Sequence, residues 1–534
     1  MSRPLPLLFA ALALCVVPAC GGGDEEAADA DLTSATALER KLTFEGYVFV
    51  ETGASSAAIL AAVRAQTRSA FGALSTQNVS VSSRELADVD TKTFIKQPVT
   101  VVDPETGETS KALRVRYLYR DTAILPKSMA KHSSLSLGLL HGDYQAQSKR
   151  VLAECTGGSA EDREMESDIW YVFNPSLSRC QKAMAAEQHA IDEARAGLAA
   201  PDAEVVPAEL ERLYIPMTAR LEPAKTAAGK IYPEYDRLLS GGIEPGTLTI
   251  SLLNGIIGHE EPGKPVPPLN EDEGYWEMLG QMDVILQAHP NLKVVGTEPA
   301  TDLSTFTIDG KKITGVSFAD YIDWELYETS YPSGLTAAQK KKLRKAAAER
   351  MKERWVTFEE VVSVQIGQKA PKDLTVRIRQ YFGADEDETP YRRAIKESDV
   401  FLFNGHSFIG EGPLDPANFH DADFPESYQL LFIDSCISYN YYDKDYFAFK
   451  KRGSKDLDLI VNGLESYSDG SGPAEGRFVV ALLSGKQPHY RKLLDVASSD
   501  GTAYAWGKDA LRVVDGELDN TYSPDEKPIK VSTK

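Results

Sequence analysis

Two hydrophobic rhythms divide this chain. In KLTFEGYVFVE, from Lys41, apolar and polar residues alternate in the two-residue period of a half-buried strand. SSAAILAAVRAQTRSAFGAL then repeats its apolar positions every three to four residues, which predicts a helix capped by Ser55 or Ser56. KTFIKQPVTVVD and KALRVRYLYRD read as strands joined by the turn PETGE, and SLSRCQKAMAAEQHAIDEARAGLAA as an amphipathic helix. His141-Gly142 reads as a loop. These elements predict an α+β domain over residues 40–200.

The rhythm changes after AGLAAPDAEVVPAEL, a boundary rich in proline and small residues. GTLTISLLNGI, LKVVGTEP, DLTVRIRQYFG, DVFLFNG, YQLLFIDS and DLDLIVNG are largely continuous apolar strands. Helical stretches lie among them: EDEGYWEMLGQMDVILQA, TPYRRAIKES and GPAEGRFVVALLSG. Such alternation predicts an α/β domain over 207–500, a doubly wound and mostly parallel sheet. Residues 501–534 read as a C-terminal tail. Between Ser333 and Trp355 lies an inserted helix with eight basic and two acidic residues, opened by the capping box Thr336–Gln339. It reads as a solvated helix held by charge on an acidic body.

The N-terminus follows a different logic. MSRPLPLLFAALALCVVPA, residues 1–19, has a basic residue, a short apolar run and small residues, the layout of a secretory signal peptide. The VPAC that ends at Cys20 resembles a bacterial lipobox, which implies a lipidated Cys20 and membrane attachment without a spanning helix. Gly21 lacks the aspartate that retains some lipoproteins at the inner membrane, which points to a cell-envelope protein on the outer one. Residues 20–39, small and acidic, read as a flexible stalk.

Composition narrows the partners. Hydrophobic residues make up 42% of the 534, enough for folded domains, and the net charge of -21 argues against nucleic acid as a partner. In an exported protein Cys155 and Cys180 are expected to form a disulfide. Cys436 is then left over, and an unpaired cysteine in an oxidising compartment is either buried or kept for its reactivity.

The candidate chemistry sits at two strand ends. His406 follows the apolar run VFLF and Cys436 follows LLFI. In a parallel sheet both would emerge on the rim where ligands collect. FNGHS and FIDSCIS, followed by the strand, loop and helix of DLDLIVNGLESYSDGSGPAEGRFVVALLSGK, resemble the caspase-like cysteine peptidases, most closely the gingipain and clostripain type. The resemblance covers roughly Val362 to Lys486. It implies a caspase-like sheet, a peptide or protein substrate, Cys436 as nucleophile and His406 as general acid/base, with no cofactor. The backbone amides of Ser407 and Cys436 would form the oxyanion hole. The family usually has glycine where Ser407 stands, so a positive φ there would strain the serine. A basic residue at the cleaved position would need a carboxylate, for which Asp434, Asp443, Asp445 and Asp469 are candidates.

Two other functions compete. An inactive caspase-like domain could serve as a surface binding scaffold. GHSFIG could be a displaced serine elbow, with Ser407, Asp434 and His489 in order, although Ile409 replaces the required glycine. His406, His420, Asp421 and Asp423 match no zinc or calcium spacing, so no metal is expected.

Overall fold

The computed structural model describes residues 29–200, 203–226, 230–258, 267–442, 444–467, 470–498 and 509–533. Residues 1–19, Cys20 and the first part of the expected stalk lie outside them. The molecule is a mixed α/β protein built on two sheets.

The N-terminal sheet holds β1 (Ala37–Val50), β2 (Ile95–Val102), β3 (Thr109–Pro126), β4 (Ser134–Leu140) and β5 (Tyr214–Pro223), in the order β4-β5-β1-β3-β2. Strong alternation in β1 buries Leu42, Phe44 and Val48 under the helix Ser56–Arg68, which Ser55 caps by accepting from the Ala58 amide. The helix Ser178–Arg195 also forms, and the Cys155–Cys180 disulfide ties it to the helix Ser148–Cys155, with Cα atoms 4.7 Å apart. The expected disulfide is therefore present.

The second sheet holds β6 (Thr247–Gly255), β7 (Lys293–Glu298), β8 (Arg354–Ile366), β9 (Lys372–Gly383), β10 (Val400–Asn404), β11 (Gln429–Asp434), β12 (Leu457–Asn462), β13 (Arg512–Asp515) and β14 (Ile529–Thr533). Its order is β7-β8-β9-β6-β10-β11-β12-β13, with β14 also on β8. The five strands β9, β6, β10, β11 and β12 are parallel; β7, β8, β13 and β14 run antiparallel to their neighbours. Every residue of β6, β10, β11 and β12 is buried, which explains their unbroken apolar runs. Val400 and Leu402 face the helices Glu273–Ala288 and Ser471–Leu483, while Phe401 and Phe403 face the helix Thr389–Glu397 and a core shared with the N-terminal domain.

The structure redraws three boundaries. Residues 29–39 are not stalk: Asp29–Ala30 pairs with Lys225–Thr226, Leu32–Thr33 pairs with β13, and Ala30, Leu32 and Ala37 are buried among the acids that suggested disorder. The N-terminal domain does not stop at 200, because β5 pairs with β1 and β4. Residues 501–534 are not a tail, because β13 and β14 complete the second sheet. The basic insertion forms a helix, Ala337–Met351, with the capping box in place. Its cations meet acids of the body: Lys341 pairs with Glu271, Lys342 with Asp309 and Arg344 with Glu328. The same pairing accounts for the charge contrast. Among the described residues no helix is long and apolar enough to cross a membrane.

Candidate functional site

The parallel strands change direction of succession at β6, which lies between β9 and β10. The carboxyl ends beside such a switch point form a crevice where ligands bind. β10 and β11 run side by side in register, with Asn404 opposite Asp434. His406 and Cys436 each stand two residues beyond that pair, so both leave the sheet at one rim.

The loop after β10 is tightly wound. Ser407 has φ −84° and carries no strain; the left-handed positions are Phe408, at φ 48°, and Ile409, at φ 55°. The expected conflict at Ser407 is therefore displaced by one residue. Non-glycine residues in this region cost about 1–3 kcal/mol each and collect at functional sites. Phe408 is 46% exposed and its ring sits edge-on to the His406 ring, with centroids 5.6 Å apart. Tyr442 Oη donates to the Ser407 carbonyl at 2.7 Å and fixes the loop from below. Among the described residues neither the Ser407 nor the Cys436 amide donates to a protein acceptor, the condition an oxyanion hole requires.

Cys436 is half-buried. Its Sγ–H donates to the Ser466 carbonyl at 3.5 Å. Burial, reinforced by the nearby Glu465 and Asp434 carboxylates, pushes the thiol up to about 11 against the opposing Ser466 amide. The resting form at neutral pH is thus the thiol. Tyr171, from the N-terminal domain, and Tyr441 lie close enough to interact with it electrostatically. Ile437, at φ 50°, turns the chain sharply after the cysteine. Asn462 Nδ2 holds this loop by donating to Asp434 Oδ1 at 2.6 Å and to the Ser435 carbonyl at 3.2 Å.

Asp434 itself cannot meet a substrate. It is buried and salt-bridged to Arg512 at 2.8 Å, because a carboxylate at that depth needs a paired cation. Its candidacy for specificity is corrected accordingly. Asp443 and Asp469 lie outside the described residues. Asp445 lines a separate cleft with Arg84 and Lys444. A different set of acids faces His406. An open groove of about 920 Å³ is lined by Asp385, Glu386, Glu388 and Glu411 together with His406 and Phe408. Burial, opposed by the Tyr391 hydroxyl, pushes Asp385 up to about 7. The sequence carried a signal for it: the run ADEDE begins directly after β9 ends at Gly383.

The serine arrangement does not assemble. Asp434 is held by Arg512, and His489 caps the helix Tyr490–Val496. The hydroxyl of the next residue, Tyr490, bonds Asp458 near the start of β12, so His489 lies toward the opposite rim from Ser407. Asp423 pairs with Arg392 and accepts from the His420 amide. Compared with protein-family models, with curated proteins and with solved structures, the chain matches none.

Proposed function

We propose that this protein is a caspase-like cysteine endopeptidase, exported and tethered to the cell envelope through a lipid on Cys20. The observation that carries the reading is the register of β10 and β11, which brings His406 and Cys436 to one rim beside the switch point. In this reading the substrate carbonyl enters between the two loops. As Sγ attacks the carbonyl carbon, the thiol proton passes to the His406 imidazole. The carbonyl oxygen becomes an oxyanion facing the Ser407 and Cys436 amides. The C–N bond then breaks, His406 protonates the departing amine, and a thioester remains on Cys436. Water, deprotonated by His406, hydrolyses it. A thiol titrating near 11 fits proton transfer at the moment of attack, not a resting thiolate–imidazolium pair.

The groove beside His406 supports cleavage at basic residues, since its carboxylates would attract a cationic side chain. Arginine, lysine, aspartate and asparagine reporter peptides test the activity. Cleavage that disappears in Cys436→Ala and in His406→Ala supports the proposal; cleavage that survives Cys436→Ala overturns it. The half-burial and raised titration of Cys436 favour a second reading, a binding scaffold with a silent site. Peptides that bind the groove without being cleaved would distinguish it.

A further inference from the structure

The loops that carry His406 and Cys436 have a common neighbour. Segment Val81–Glu85 of the N-terminal domain touches both. Toward the histidine loop, the Arg84 guanidinium pairs with Asp415 at 2.9 Å and donates to the Gly410 carbonyl at 2.9 Å. Toward the cysteine loop, Asn440 Nδ2 donates to the carbonyls of Val81, at 3.1 Å, and Ser83, at 2.9 Å, while its Oδ1 accepts from the Glu85 amide. Lys444 Nζ donates to Ser82 Oγ. Gly410 lies four residues beyond His406 and Asn440 four beyond Cys436. Asn440 is buried, and its amide group is engaged at both ends. Glu85 and Leu86 adopt left-handed φ of 51° and 53°, so the segment is bent to reach both loops. Phe71 stacks on Tyr441 beside these contacts, with centroids 6.2 Å apart.

We infer that Arg84 and Asn440 are positioning residues. Through them the N-terminal domain sets the separation of the His406 and Cys436 loops, and it is a working part of the site in the intact chain. This rests on the peptidase reading for its consequence but on the contacts above for its geometry. A charge-assisted pair and a buried amide hold position more firmly than surface loops do, and small displacements of reacting groups are costly in rate.

The test uses the full chain with Arg84→Ala, Asp415→Asn, the double variant, and Arg150→Ala as a control on an ion pair, Arg150–Glu187, whose two members both belong to the N-terminal domain. With a cleaved reporter peptide, Arg84→Ala is expected to lower kcat by about tenfold to a hundredfold with KM nearly unchanged. Asp415→Asn should behave alike, and the double variant should be no worse than Arg84→Ala. An unchanged kcat, or a fall that Arg150→Ala shares, overturns the inference. Iodoacetamide labelling of Cys436 across pH keeps the test independent of peptidase activity. If no peptide is cleaved, the positioning role still requires Arg84→Ala and Asn440→Ala to shift the labelling profile. A profile identical to that of the parent protein overturns it.

Discussion

The Cys436 thiol donates its hydrogen to the Ser466 carbonyl, 3.5 Å away, and this contact is made from a half-buried position. Together they keep the proton on sulfur. Labelling of native Cys436 by iodoacetamide should run about a hundredfold slower at neutral pH than that of a free cysteine, and should climb until the pH nears the thiol's value of about 11. Mass spectrometry of the labelled peptide reads this directly. Rapid labelling that levels off near neutrality would contradict it.

Asp385 and Glu388 line the groove beside His406. The pair Asp385→Asn and Glu388→Gln should raise KM for arginine and lysine reporters about tenfold and leave neutral reporters within twofold. Added salt should have the same selective effect in the parent protein. Steady-state kinetics on matched basic and neutral reporters measures both.

The strap at residues 29–33 should loosen as pH rises. Asp31 and Glu39 are pushed up to about 9 and about 7, in each case by burial first, with the Asp515 carboxylate adding to it. Lys444 opposes this for both acids, as does Lys41 for Glu39, and Glu517 lies against the same strap. The unfolded chain releases these protons near pH 4, whereas the folded one keeps them until about 7 to 9. Their contribution is therefore greatest below about pH 4 and declines as pH rises through the folded values. Asp31→Asn with Glu39→Gln should raise stability at about pH 8 by on the order of 1–2 kcal/mol and change little near pH 4. Melting curves across that range show whether the slope flattens.

Reducing the Cys155–Cys180 bond opens a loop with a sequence separation of 25. The loop-closure estimate is about 3 kcal/mol. Denaturant titration of the oxidised protein and of a Cys155→Ser/Cys180→Ser variant should differ by that order in the N-terminal domain's transition.

The helices Glu273–Ala288 and Ser471–Leu483 touch through glycines. A Cβ on Gly472 would run into the Glu277 carbonyl, and one on Gly476 would lie 2.6 Å from the Gln281 carbonyl. Gly472→Ala should destabilise the second sheet's domain by about 1–3 kcal/mol, the usual range for overpacking. Ala481→Gly, at a partly exposed position of the same helix, provides the comparison for helix propensity. Thermal unfolding of the two variants separates the effects.

The sequence made the parallel core legible because β6, β10, β11 and β12 are buried on both faces and must be apolar throughout. β8 escaped notice because it sits directly after a helix and carries charged residues, Glu359 and Glu360, among its apolar ones. β13 and β14 are short, and their partners lie far away in the chain, so no local pattern announces them. The strand-end placement of His406 and Cys436 could be read from one dimension. The use of Asp434 could not, because its partner Arg512 lies 78 residues on. Nor could Arg84, whose contacts with Gly410 and Asp415 span more than 320 residues.

Those distant pairings govern how the protein can be made. β13 lines one flank of the second sheet against β12, and β14 pairs with β8 toward the other. A chain emerging from its first residue onward therefore has the central strands long before it has these flanks. Until residues 512–533 arrive, β12 and part of β8 present unpaired backbone, which invites aggregation or chaperone binding. Loss of residues 512–533 would leave Leu459–Asn462 of β12 and the Val362–Ile366 end of β8 unpaired together, at two places far apart in one sheet.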